Sequence, residues 1–356
     1  MTLDIAIRKA ATLKPKPPED ALGFGRYFTD HVFVMDYDPD RGWHDGRIVP
    51  NEPLGLEPAA AVLHYAQAVF DGLKAFRGTD GRVRSFRLDD HCRRFNRSAQ
   101  RLCMPPIDLG WLHESIAELI RVEQDWVPRG AGTSLYIRPT MIASEAFLGV
   151  RPAERYTYFV LLSPVGAYYG AKHAPVKIWV EMRHVRAAPG GLGSVKAAAN
   201  YAASLPAAEE AKQRGFDQVL WLDALEHRWI EEVGTMNLFV RIGEEVLTPP
   251  LDDTFLPGMT RDSVLVLLHE WGVKVSERRV SIDELRHAHA RGELAEVFGT
   301  GTAAVISPVG LLGFPDGALT VGDGKPGRVA QRLSDTLTAI HYARAEDRHG
   351  WMVPIT

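Results

Sequence analysis

Cysteine is nearly missing from this chain: 356 residues contain only Cys92 and Cys103. Two unpatterned thiols make neither a disulfide framework nor a zinc site, so both are expected to be reduced, in a cytoplasmic protein. Long apolar runs are missing too. No uncharged stretch approaches the roughly 20 residues of a membrane-spanning helix. Residues 1–20 carry Asp4, Glu19 and Asp20 and no apolar run fit for a signal peptide. A strong charge of either sign is also absent. The net charge of −4 argues against nucleic acid as a partner. Glycine is plentiful, yet the run Gly190 to Gly193 fits neither the dinucleotide spacing G-x-G-x-x-G nor the phosphate-loop spacing G-x-x-x-x-G-K-S/T. There is no internal repeat. The length predicts two domains, with a third within range.

What is present centres on Ala188 to Tyr201, APGGLGSVKAAANY. Gly190, Gly191 and Gly193 allow a tight turn and a close approach of backbone to a ligand. Lys196 follows among small side chains. An amine there is either a solvated loop residue or, if desolvated, a nucleophile whose charged form is disfavoured. Further on, the strand-like run Trp229 to Asn237 carries Glu231 and Glu232, read either as an exposed pair or as one carboxylate turned inward. A lysine amine and a carboxylate for a ring nitrogen are what pyridoxal phosphate requires of a protein.

Local patterns order the rest. Thr12 to Asp20 reads as an extended arm, Tyr27 to Tyr37 as a strand, and Glu57 to Gln67 as a helix with Pro58 in its first turn. Val69 to Arg77 and Arg82 to Arg87 form a hairpin around Gly78–Gly81. Leu88 to Leu102 and Leu109 to Trp126 are helices, the first with His91, Arg94 and Arg97 on one stripe. Thr133 to Ile142 and Tyr156 to Leu162 are strands, as is Val176 to Arg186. Ala202 to Gly215 is a helix that either begins at Pro206 or is kinked there. Gln218 to Asp223 and Trp229 to Ile242 are strands. Thr260 to Trp271 is a helix whose N-terminus can receive an anion. Ser281 to Glu284 is a capping box. Gly299 to Thr302 is a turn between apolar runs, and the last helix spans about Gly327 to Arg344.

Eight segments carry a resemblance. They are FGRYFTDH (Phe24 to His31), LHYAQAVFDGLKAFRG (Leu63 to Gly78), SLYIRPT (Ser134 to Thr140), SPVGAY (Ser163 to Tyr168), QVLWL (Gln218 to Leu222), EVGTMNLF (Glu232 to Phe239), LPGMTR (Leu256 to Arg261) and FGTGTA (Phe298 to Ala303). In this order they resemble the branched-chain amino acid aminotransferases, in the fold-type IV group of pyridoxal phosphate enzymes. The resemblance implies an α+β fold of two domains, a smaller N-terminal α/β domain and a larger C-terminal one, with pyridoxal 5′-phosphate at their interface. The boundaries expected are an arm over 1–20, domains over 21–165 and 176–356, and a connecting loop over 166–175.

The implied reaction is reversible transamination of L-leucine, L-isoleucine and L-valine with 2-oxoglutarate, giving branched-chain 2-oxo acids and L-glutamate. Lys196 would hold the cofactor covalently and move the α-proton. Glu232 would face the ring nitrogen, Tyr201 the ring O3′, and Thr235 would belong to the ring's surroundings. Arg94, the amides of Met259 and Thr260, and the Thr302 hydroxyl would hold the phosphate. Phe24, Tyr65, Phe70, Tyr136 and Tyr168 would wall the substrate pocket, with the Thr302–Ala303 turn on the α-carboxylate. Arg138 is either a structural ion-pair partner or the cation for the γ-carboxylate of glutamate, helped by the hydroxyls of Tyr65 and Tyr168. A homodimer is implied, lending a loop near Leu148 to Val150. Two departures stand out. Ala304 and Ser307 occupy the positions of a Cys-x-x-Cys found in mammalian members, and Ala198–Ala199 replaces a frequent Gly-Gly. Rival readings are a D-amino acid aminotransferase, an aminodeoxychorismate lyase, or a pyridoxal phosphate-binding protein without turnover. YIRPT and EVGTMN speak against the first two. The third leaves the Thr302 turn and the Tyr65, Tyr136 and Arg138 group without purpose.

Overall fold

The computed structural model describes residues 3–166 and 175–356. Tyr168, and most of the expected loop over 166–175, lie outside the described residues. Contacts divide the chain into two units. One comprises Met1–Gly170, Lys196–Ala199 and Ala339–Thr356; the other comprises Ala171–Val195 and Asn200–Thr338. The first unit thus takes two segments from the C-terminal half. Lys196 belongs to it because its backbone pairs there: the Phe70 amide donates to the Lys196 carbonyl at 3.1 Å, and Ala197 bridges Val69.

The first unit is a nine-stranded sheet. Its strands are β1 (Ala6–Ile7), β2 (His31–Asp38), β3 (Gly42–Pro50), β4 (Ala68–Phe70), β5 (Leu73–Arg77), β6 (Val83–Phe86), β7 (Ser134–Ala143) and β8 (Tyr156–Val165), with the last strand of the chain, Met352–Pro354. They lie in the order β1-β3-β2-β8-β7-β5-β6 followed by Met352–Pro354, and β4 pairs with β7. Alternation along β7 assigns the two faces. Leu135, Ile137, Met141 and Ala143 enter a core shared with Phe33, Leu73, Phe95, Ile116 and Tyr158. Each such side chain contributes about 1.5–3 kcal/mol by leaving water. Tyr136 and Arg138 point to the other face. Two helices supply the core from one side: α2 (Leu88–Arg101) buries Leu88, Phe95 and Ala99, and α3 (Leu109–Val122) starts at Asp108, whose side chain accepts the Trp111 amide.

Boundaries differ from the sequence reading where side chains intervene. The 27–37 strand begins only at His31, because Asp30 accepts from the Lys14 amide and the Trp126 indole. Those contacts also tie the N-terminal arm down, and β1 pairs with β3. The 57–67 helix shrinks to Ala61–Tyr65, stopped by Ala66 in the left-handed region. The strand β3 has no counterpart in the sequence reading.

The second unit holds another nine-stranded sheet: β9 (Val176–Val180), β10 (Gln218–Leu222), β11 (Ile230–Val233), β12 (Met236–Ile242), β13 (Glu245–Thr248), β14 (Val275–Glu277), β15 (Leu294–Gly301), β16 (Val305–Phe314) and β17 (Gly317–Thr320). The order is β11-β10-β9-β16-β15-β12-β13-β14, with β17 on β16. What reads as one strand over 229–242 is the β11–β12 hairpin, turned at Gly234 (φ +59°) and Thr235. The helix Ala198–Gln213 starts earlier than expected and runs through Pro206, so a start at Pro206 is excluded. It buries Ala207 and Ala211 against Val219 and Trp221. The Met259–Glu270 and Ile282–Ala290 helices match expectation, and Ser281 accepts the Glu284 amide as a cap should. The last helix spans Arg328–His341. The turn expected at Gly299–Thr302 falls later, after Gly301 and before Val305.

Candidate active site

The predicted residues fall into two groups, one in each unit. In the first unit, Tyr136 and Arg138 share a face of β7. The Tyr136 hydroxyl accepts from Arg138 Nη2 at 2.9 Å, and the guanidinium lies 4.5 Å from the Phe70 ring centre. Phe24 packs edge-on to Tyr136 at 4.9 Å. Gly72 makes room for that tyrosine, since a Cβ there would run into its hydroxyl. Among the described residues Arg138 Nε is buried without a hydrogen-bond partner, as is Ser163 Oγ, which stands across from Tyr136 on β8. Among the described residues no carboxylate pairs with Arg138, so the structural ion-pair reading is not what is found. A half-buried guanidinium of this kind suits an anionic ligand.

Lys196 is half-buried, with its Nζ 4.7 Å from the Phe70 ring centre. Its backbone amide donates to Ser98 Oγ at 3.0 Å, and that hydroxyl donates to the Arg94 carbonyl. One stretch of α2 therefore anchors the lysine and carries Arg94. Arg94 is almost wholly enclosed and makes a two-point pair with Asp71: Nε donates at 2.9 Å and Nη2 at 2.7 Å. His91 Nδ1 lies 2.9 Å from the same carboxylate. Burial alone would raise the Asp71 pKa. Arg94 and His91 outweigh it and hold the carboxyl well below the usual range. Burial pushes the His91 imidazole down. Tyr65 is 40% exposed, and its hydroxyl donates to the Leu148 carbonyl of the same chain.

In the second unit both Glu231 and Glu232 are buried, so the exposed-pair reading fails. They point to opposite faces of β11. Glu232 stands in register with Asn237, whose Nδ2 donates to its Oε1 at 3.0 Å. Arg186 Nε lies 3.0 Å from its Oε2. A cleft beside this carboxylate is lined by Arg186, Asn200, Tyr201, Glu232 and Thr235. The Met259–Glu270 helix begins at Gly258 with no side-chain cap, and Met259 and Thr260 form its buried first turn. Thr302 and Ala303 lie in the turn between β15 and β16. Beside them Thr300 Oγ1 is a buried hydroxyl without a protein partner among the described residues. Within the second unit, a fixed carboxylate, a phenol and an uncapped helix start suit a phosphorylated pyridine; within the first, a lysine stands with an oriented guanidinium.

Sequence reasoning missed Asp71, Ser98 and Arg186. Two of them had a visible trace: Asp71 is the lone acid of its segment, and Arg186 ends the expected 176–186 strand, of which only Val176–Val180 forms. Neither trace named its partner.

Residues 68–312 match the amino-transferase class IV family. Over nearly its full length the chain is similar to branched-chain-amino-acid aminotransferase 2 of Bacillus subtilis (strain 168), 50% identical over 351 residues, which is 99% of this chain and 97% of that one. Among solved structures it is similar to the Escherichia coli branched-chain amino acid aminotransferase, with a TM-score of 0.77 and 28% identity over 92% of this chain and 99% of that one. The branched-chain aminotransferase of the thermophilic archaeon Thermoproteus uzoniensis, solved with norvaline, gives a TM-score of 0.75 and 26% identity, covering 92% and 100%. The chain belongs to the class IV aminotransferase family and, within it, to the branched-chain amino acid aminotransferases.

Proposed function

We propose that this protein transfers amino groups reversibly between L-leucine, L-isoleucine or L-valine and 2-oxoglutarate, with pyridoxal 5′-phosphate as cofactor. The observation that carries the reading is Glu232, a buried carboxylate fixed by Arg186 and Asn237 beside Tyr201 and Thr235. When bound, the cofactor supplies an aldehyde for amine exchange and a ring that takes up carbanion charge. Glu232 holds a proton on the ring nitrogen, and Tyr201 donates toward O3′. Arg94, oriented by Asp71, holds the phosphate together with the amides of Met259 and Thr260 and the Thr302 hydroxyl. Lys196 would hold the cofactor and, as a free amine, carry the α-proton.

For substrate, Phe24, Phe70, Tyr65 and Tyr136 supply apolar wall, and the Thr302–Ala303 turn receives the α-carboxylate. Arg138 meets the γ-carboxylate of glutamate; its half-buried guanidinium, with no acid partner among the described residues, supports this assignment. We further propose a cytoplasmic homodimer whose Leu148–Val150 loop completes the partner's site. The exposure of Leu148 (61%) and Val150 (87%) supports the loop, and the two free cysteines support the compartment. In the described residues no helix is long and apolar enough to cross a membrane.

The test is the absorbance spectrum of the purified protein. L-Leucine should convert the aldehyde form of the cofactor to the amine form, and 2-oxoglutarate should restore it with L-glutamate as product. Conversion by D-leucine instead, or no conversion, would reject the reading.

A further inference from the structure

Glu231 plays no part in the reaction just described, yet it is 5% exposed and lies next to Glu232 in the chain. Its Oε1 is 2.8 Å from Thr254 Oγ1, and that same hydroxyl is 2.7 Å from Asp252 Oδ1. A hydroxyl has one proton to give. It cannot donate to two carboxylates, so one of these two contacts takes its proton from the acid. Asp252 is exposed and also accepts the Thr254 backbone amide at 2.8 Å, which suits an anion. Glu231 is the enclosed member, and its Oε2 has no hydrogen-bond partner among the described residues. An ionised carboxylate would leave a charged Oε2 without a hydrogen bond; a neutral acid leaves only a carbonyl oxygen there.

We propose that Glu231 is a neutral carboxylic acid that donates to Thr254 and thereby acts as a positioning residue for the Arg186–Glu232 pair. The positioning role rests on the transaminase reading above, whereas the proton does not. Thr254 is where the contacts converge. Its carbonyl accepts from Arg186 Nη2, and Arg186 in turn meets Glu232. Gly193 lies so close to the same carbonyl that there is no room for a Cβ. Neighbouring Asp253 accepts the Gly190 amide at 2.5 Å. The 252–254 loop therefore braces both the arginine on Glu232 and the glycine segment that leads to Lys196.

The charged groups facing Glu231 are Arg186, Asp252 and Glu232. Burial raises its pKa to about 7, against the opposing pull of the Thr254 hydrogen bond and of Arg186. Above that pH an ionised Glu231 would draw on Arg186 and place a like charge beside Glu232.

Infrared spectroscopy of the full chain tests the proton directly. At about pH 5.5 a protonated-carboxyl stretch should be present, should fade as pH passes about 7, and should be absent in Glu231→Gln. Linkage gives a second reading. Because the folded pKa lies above the unfolded one, this group's stabilisation is full below its unfolded value of 4.5 and is lost as pH rises toward about 7. Tm should therefore fall across that window more in wild type than in Glu231→Gln. For positioning, Glu231→Gln can still donate to Thr254 and should retain pyridoxal phosphate within about threefold, while Glu231→Leu should lose about tenfold in affinity. A carboxyl band that persists in Glu231→Gln, or no band in wild type, overturns the protonation. Equal cofactor loss in both variants overturns the positioning. A wild type that shows the band but does not transaminate would instead reject the functional reading and leave the proton in place.

Discussion

Two buried arginine–carboxylate pairs, one in each unit, do opposite work. In Arg94–Asp71 the acid is fully enclosed and grips the guanidinium at two points, so what is presented is an oriented cation. In Arg186–Glu232 the contact is single, the arginine is also committed to the Thr254 carbonyl, and what is presented is an oriented anion. On the proposed function the first would serve a phosphate and the second a pyridine nitrogen. A buried pair is weak evidence of stability, because desolvation offsets its attraction. Its worth here is that it fixes one member for a third partner.

Breaking each half should give different losses. The largest effect is expected from Lys196→Ala, which should abolish turnover while leaving some noncovalent cofactor binding through the phosphate contacts. Equilibrium dialysis alongside the leucine assay checks both. Asp71→Asn should come next, destabilising the fold by about 3–5 kcal/mol, since Arg94 would be left as an uncompensated buried charge. Denaturant unfolding measures it. Asp71 also predicts an acid limb. Its folded pKa lies below the unfolded one, so its contribution is present above the ordinary carboxylate range and is lost only as pH falls through the folded value.

Glu232→Gln should keep the fold and lose about 3–4 kcal/mol of transition-state stabilisation, some two to three orders of magnitude in kcat. Glu231→Gln should not. If it did and Glu232→Gln did not, the roles on the two faces of β11 would be exchanged. The smallest and most selective effect is expected from Arg138→Met. It should weaken the glutamate and 2-oxoglutarate half-reaction by about 2–5 kcal/mol while sparing leucine, as single-turnover spectroscopy of each half would show. Equal losses would make Arg138 structural.

The sequence was legible where the signal is local. The β5–β6 hairpin, α2, α3 and the Ser281 cap follow from turns, periodicity and capping within a few residues. The break at Gly234–Thr235 was hidden because apolar residues flank it on both sides, so two paired strands read as one. Ala198 to Tyr201 gave no helical stripe, since small side chains carry little pattern. The site divides the same way. Lys196, Glu232 and Arg94 stand in segments that resemble a family, but their partners are set by sheet topology: Asp71 reaches Arg94 across 23 positions, and Ser98 reaches Lys196 across 98. Nor did sequence single out Lys74. It is a buried amine on β5, opposite Tyr136, whose pKa burial lowers to about 8.

That lysine makes the decisive measurement a comparison within one unit. An amine with a burial-lowered pKa meets a physical criterion for imine chemistry, which makes Lys74 a rival. Borohydride reduction of the purified protein, followed by proteolysis and mass spectrometry, locates the lysine that holds the cofactor. The account predicts the pyridoxyl adduct on the peptide containing Lys196 and none on Lys74. An adduct on Lys74 would contradict it.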